Sequence, residues 1–141
     1  MDKVILKAQA IVNEMYKNDD FSKWLGVEFM EVLPGSCTLR MKVRDEMTNG
    51  FDILHGGISY SFADSALAFA SNSQGKIAVS IETSISHLAA VHTNDILTAI
   101  ANEDHLSSSL ANYTIRVSNQ DSKLVAFFKG TVYRKREEWD V

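Results

Sequence analysis

The chain has 141 residues, 45% hydrophobic and 23% charged, the proportions of one folded domain with an interior large enough to hold without covalent staples. Its one cysteine, Cys37, excludes an internal disulfide and a cysteine-rich zinc site, and a net charge of −4 argues against nucleic acid as a partner. No apolar run reaches the ~20 residues of a membrane span, and the mixed charges at the N-terminus do not form a signal peptide's core. The expectation is a cytoplasmic protein with no membrane partner.

Residues 3–16 repeat apolar side chains at helical spacing (Val4, Ala8, Ile11, Val12, Met15), which predicts an amphipathic helix within an N-terminal segment of 1–20. Asn18, Asp19 and Asp20 end it, and Phe21, Trp24 and Leu25 read as a short apolar link packed on a sheet. Residues 27–33 and 36–43 are strand-like and joined by the turn dipeptide Pro34-Gly35. The second alternates cleanly through Cys37, Leu39, Met41 and Val43, so Cys37 reads as a packed thiol rather than a nucleophile.

Between residues 56 and 75 the only charged side chain is Asp64, and the apolar residues run most of the way round a helix. Such a helix is buried, because a surface helix needs a polar face. Gln74-Gly75 closes it, glycine being the usual left-handed cap. Residues 77–89 then alternate through Ile77, Val79, Ile81, Thr83, Ile85 and His87, and 96–103, 109–118 and 124–133 are further strands. Arg134, Lys135 and Arg136 read as a solvated tail in preference to a phosphate contact. One buried helix among five or six antiparallel strands predicts an α+β fold, the sheet curled about the helix.

A lone carboxylate in a buried helix must be paired, hydrogen-bonded or protonated. Aspartate inside a helix costs roughly 0.6 kcal/mol relative to alanine, so Asp64 needs a reason. Either Ser61, Tyr60 or a nearby loop satisfies it structurally, or it serves as a base or nucleophile. Gly56 and Gly57 stand at the helix start, where N–H groups lack intrahelical partners and the dipole favours negative charge. Without a Cβ, glycine lets a substrate carbonyl approach the backbone. His87, His92 and His105 lie in separate segments without metal-ligand spacing, and no phosphate loop, dinucleotide fingerprint or Gly-x-Ser-x-Gly elbow is present, so no metal or cofactor is expected.

Asn49-Gly50, His55-Gly56-Gly57, Ala63-Asp64 and the run from Asn72 to Gly75 together resemble the hotdog-fold thioesterases of the phenylacetate-pathway (PaaI) type. The resemblance runs from about Trp24 to Tyr133, defining a hotdog core of 24–133 in a single domain of 1–141, and includes the stretch from Asn94 to Ala99. It departs at Leu88-Ala89-Ala90-Val91-His92, where many members carry a proline, and at Asp52, where several carry glycine. It implies an acyl-CoA substrate, aryl-acyl or medium-chain, with coenzyme A as part of the substrate and no separate cofactor. It further implies that Asn49 positions the water or thioester, that His55 orders the loop or touches substrate, and that Ser80 assists the attacking water. Gly57, Phe51 and Tyr60 join Ser80 as expected substrate-binding residues, the two rings suiting an aromatic acyl group.

Gly56 and Asp64 are eight residues apart, ~12 Å along one helix. One carbonyl must sit about 3 Å from both the oxyanion donor and the attacking group. A single helix cannot serve it. Two antiparallel copies about a two-fold axis can, giving a homodimer with two shared sites, and the family implies that such dimers often pair. Two rivals stand beside hydrolysis: a hotdog dehydratase or hydratase, which needs an Asp–His pair on one substrate, and a non-enzymatic acyl-CoA-binding protein.

Overall fold

The computed structural model describes residues 2–141. Helix α1 (Lys3–Lys17) is capped by the Asp2 side chain, which accepts from the Val4 N–H, and buries Ala8, Ile11 and Val12; Val4 and Leu6 extend beyond the core into solvent. The predicted apolar link is instead a short helix, α2 (Asp20–Leu25), of which only Leu25 among the apolar residues is buried. Asp19 does not merely end α1. Its carboxylate accepts from the Ser22 N–H at 2.9 Å and starts α2, while Gly26 at φ +79° ends it.

Strands β1 (Glu28–Leu33) and β2 (Ser36–Lys42) form the expected hairpin, and the Cys37, Leu39, Met41 and Val43 face is fully buried. Burial pushes the Cys37 thiol up to about 12, which makes it a packed group and not a nucleophile. A 3₁₀ turn (Asp45–Met47) leads to helix α3 (Gly56–Asn72). The rest is β3 (Lys76–His87), β4 (Ile96–Leu106), β5 (Leu110–Ser118) and β6 (Leu124–Glu138). All pairings are antiparallel in one six-stranded sheet of order β1-β2-β4-β5-β6-β3.

The sheet wraps α3, which buries Phe62, Ala63, Ala66, Phe69 and Ala70: this is the hotdog arrangement. A Cβ on Gly130 of β6 would lie 2.5 Å from a Leu67 methyl, so glycine is what lets the helix rest this close to the strand. The helix end differs from the expected glycine cap. Ser73 is the capping residue, in right-handed conformation, and Gly75 (φ +119°) completes the following turn by donating to Asn72 O.

Two features of β3 and β6 escape the simple alternation. The register of β3 against β6 shifts between Ser80 and Glu82, leaving Ile81 as the extra residue of a bulge. Ahead of the bulge Ser80 pairs with buried Val132; beyond it Thr83, Ile85 and His87 pair with Gly130, Phe128 and Ala126. By register Ser80 shares a face with Thr83, Ile85 and His87, although Ser80 and His87 are themselves exposed, and Val79 and Ile81, 45% and 59% exposed, do not continue the expected core face. The basic cluster after Tyr133 is also more than a tail. Strand β6 continues to Glu138, which pairs with Lys76, and Arg134 donates from Nη1 to Ser107 O at 2.6 Å.

Candidate active site

The loop before α3 is built on Asn49. Its side-chain oxygen accepts from the Phe51 N–H at 2.8 Å and its carbonyl from Asp52, which folds residues 49–52 into a tight turn. Asp52 has φ +59°, the left-handed region, at the position where glycine was the family expectation. Phe51 projects from this turn and is 85% exposed.

His55 is the N-cap of α3. Its Nδ1 accepts from the Gly57 N–H at 2.8 Å, which consumes one of the two glycine donors. No described residue accepts the N–H of Gly56, the first helical residue. Of the expected pair, Gly56 therefore presents the free donor, at the positive end of the helix dipole. Gly57 serves the cap.

His87, at the end of β3, belongs to this site although sequence reasoning assigned it no role. A Cβ on Gly56 would stand 3.0 Å from His87 Nε2, and Ser59 Oγ lies 3.3 Å from His87 Nδ1. Gly56, Asn49, Ser59 and His87 share a cavity of about 400 Å³, otherwise lined by Ile53, Leu54, Val91 and neighbouring apolar residues. The one sequence signal was that His87 ends the helix-facing alternation of Thr83 and Ile85.

Asp64 lies two turns further along α3, in a different cavity of about 370 Å³ that it shares with Ser80, Leu67 and Ala68. The structural explanation considered for Asp64 does not apply. Ser61 Oγ donates to Gly57 O at 2.7 Å, and Tyr60 OH pairs with Thr83 Oγ1 while its ring packs edge-on against Phe128. Burial alone pushes the Asp64 carboxyl above its usual range, with no hydrogen bond or cation to offset it. A desolvated, uncompensated carboxylate in a cleft is the condition of a functional acid or base. Asn49 and Gly56 are thus brought together, Asp64 and Ser80 are brought together, and the two groups stand apart on one chain. Tyr60 is tied to the sheet and Phe51 is out in solvent.

An antiparallel sheet wrapped on one helix, with a free backbone donor at the helix start and a desolvated carboxylate further along, is the framework of a hotdog-fold thioester hydrolase. The thioesterase superfamily profile matches residues 51–126. The chain is 38% identical over 128 residues to the acyl-coenzyme A thioesterase PaaI of Escherichia coli, covering 91% of each chain. The structure of the E. coli PaaI protein from the phenylacetic acid degradation operon superposes with a TM-score of 0.94 at 35% identity, covering 96% of this chain and 99% of that one. A variant of the phenylacetic acid degradation protein PaaI from Thermus thermophilus gives 0.80 at 34% identity, over 83% and 100% of the two chains. The chain belongs to the thioesterase superfamily.

Proposed function

We propose that the protein hydrolyses acyl-coenzyme A thioesters, of the aryl-acyl (phenylacetyl) or medium-chain class, at two equal sites shared between the chains of a homodimer. The separation of Gly56 and Asp64 carries this reading: the free donor and the desolvated carboxylate occupy different cavities of one chain. A two-fold axis between antiparallel α3 helices puts Gly56 of one protomer opposite Asp64 of the partner subunit. The uncovered face supports it. Gly57, Ser61, Asp64 and Ala68 follow one stripe of α3 that is not buried and carries Asp64 as its single charge, too few for a solvent-facing helix, and β3 is a long edge strand with exposed Val79 and Ile81.

In this site the thioester oxygen lies at the Gly56 N–H, which stabilises the negative charge as the carbonyl carbon becomes tetrahedral. Asp64 of the partner subunit supplies the attack. It takes a proton from water as the water oxygen bonds to carbon, or bonds directly to give a mixed anhydride that water then cleaves. Collapse breaks the C–S bond, and the sulfur leaves with the electron pair as thiolate. Ser80 of the partner subunit stands beside the attacking carboxylate, and Asn49 and His87 line the Gly56 side. His55 acts through the cap.

Thiol release from an acyl-CoA panel tests the reading. Turnover of phenylacetyl-CoA or medium-chain acyl-CoA is expected, and an aryl preference of roughly tenfold in kcat/KM corresponds to about 1.4 kcal/mol. Equal rates on aryl and linear substrates would remove the aryl assignment. Loss of enoyl absorbance without thiol release would replace hydrolysis by hydration.

A further inference from the structure

The Asp64 cavity is bounded differently from the Gly56 cavity. The latter opens between the 49–54 loop and the 87–91 segment, whose Phe51 and Leu88 are exposed, an opening suited to a ligand whose far end is charged and solvated. The former is bordered by the exposed Val79 and Ser80 on the β3 edge, Met15 of α1, Leu67 and Ala68 of α3, Val132 of β6, and Trp139 just beyond β6. From Asp64 to Asn72 the helix rises ~12 Å. Trp139 stands at the Asn72 end.

Trp139 is held there by more than chance packing. Its backbone N–H donates to Gly75 O at 2.8 Å and its indole N–H to Asn72 Oδ1 at 2.9 Å. Asn72 is 3% exposed and uses its whole amide: Oδ1 also accepts from the Ala78 N–H, and Nδ2 donates to Ala68 O and Ala78 O. A buried amide with every group satisfied holds one orientation, because turning it would strand buried polar atoms. The pairing of Glu138 with Lys76 fixes the backbone immediately before the indole.

We infer that the Asp64 cavity receives the acyl group and that the Trp139 indole, pinned by Asn72, is its end wall and sets the length of acyl chain accepted. This rests on the acyl-CoA hydrolase reading and adds a size determinant to it. An acyl group with its carbonyl at Asp64 runs along Leu67, Ala68 and Ser71 and stops at the indole. Truncating the indole lengthens the cavity, and enlarging Ala68 narrows it midway.

The test is thiol release from a straight-chain series, butyryl-CoA to palmitoyl-CoA, by wild type, Trp139→Ala, Trp139→Phe and Ala68→Leu, each checked for folding by thermal melting. Wild-type kcat/KM should fall beyond a limiting length. Trp139→Ala should move that limit upward and raise the long-to-short ratio at least ~tenfold, Trp139→Phe should largely restore the wild-type ranking, and Ala68→Leu should move the limit downward. Should Trp139→Ala fail to fold, Trp139→Leu, a shorter side chain away from the α3 stripe proposed to meet the partner subunit, takes its place and should move the limit the same way. Long-to-short ratios unchanged in the folded variants of an active enzyme would overturn the end-wall assignment alone. A wild type that turns over phenylacetyl-CoA but no member of the series would overturn the end-wall assignment alone; one that releases thiol from neither would remove the hydrolase reading and this one with it.

Discussion

Replacing Gly56 by proline deletes one hydrogen-bond donor and little else, a separation that few backbone donors permit. Gly56 is the first helical residue, where proline is favoured because its missing N–H has no intrahelical partner to lose. The preceding residue, His55, has ψ 133°, the extended conformation that a following proline requires. The new Cβ does approach His87 Nε2 at 3.0 Å, so the exposed ring must give by a few tenths of an ångström. Gly56→Ala adds that Cβ while keeping the N–H, and the alanine-to-proline ratio isolates the donor. Loss of one oxyanion donor costs about 2.7–4 kcal/mol in the barrier, or roughly 10²–10³ in kcat. Single-substrate kinetics on the best acyl-CoA should therefore show Gly56→Pro falling by that factor below Gly56→Ala, mainly in kcat, with both proteins folded. A folded Gly56→Pro enzyme as active as Gly56→Ala would refute the assignment of this N–H to the oxyanion.

Asp64→Asn should lower turnover at least ~100-fold and raise the melting temperature together. The wild-type carboxyl is pushed above 3.8 by burial, so its stability contribution is full below that value and lost as pH rises through the folded pKa; the variant should melt higher near neutrality, the gap closing on acidification. A variant that melts lower at neutral pH would contradict the absence of a structural partner. His55→Ala should cost about 0.5–2 kcal/mol by chemical denaturation, while His55→Asn, which can cap, recovers most of it; equal loss in both would show that capping is not what His55 contributes. Asp52→Gly relieves a left-handed aspartate and should raise stability by less than ~1 kcal/mol, a sign that a denaturation curve reads directly.

The sequence made the frame legible wherever a strand buries one face regularly. Cys37 to Val43 declares itself through period two, and α3 through the scarcity of charge around Asp64. What it concealed depends on events that have no period. The Ile81 bulge reverses the parity of β3, so Val79 and Ile81, which look like core, are exposed, while Ser80 joins the face of Thr83, Ile85 and His87. Asp19 was ambiguous because the same carboxylate that follows α1 caps α2. Trp139 and the strand beneath it were hidden by the charges of Arg134 to Glu138, which are mostly solvated although their backbone is paired. Of the candidate site, Gly56 stands out as a glycine at the helix start, Asp64 as the helix's lone charge, and Asn49 only through the family resemblance, but the placement of His87 against Gly56 is a tertiary contact across 31 residues of chain (87 − 56). The free Gly56 N–H, likewise, emerges only once His55 is seen to take that of Gly57.

Complementation between two inactive chains tests the shared site most directly. Asp64→Asn and Gly56→Pro proteins, unfolded together and refolded at equal amounts, form heterodimers in which one of the two interfacial sites has both Gly56 and Asp64 intact. Random pairing makes half the dimers mixed with one good site each, so thiol-release activity should recover to about a quarter of wild type. Mixed dimers demonstrated by differential tags, yet no more active than either parent, would contradict a site built across two chains.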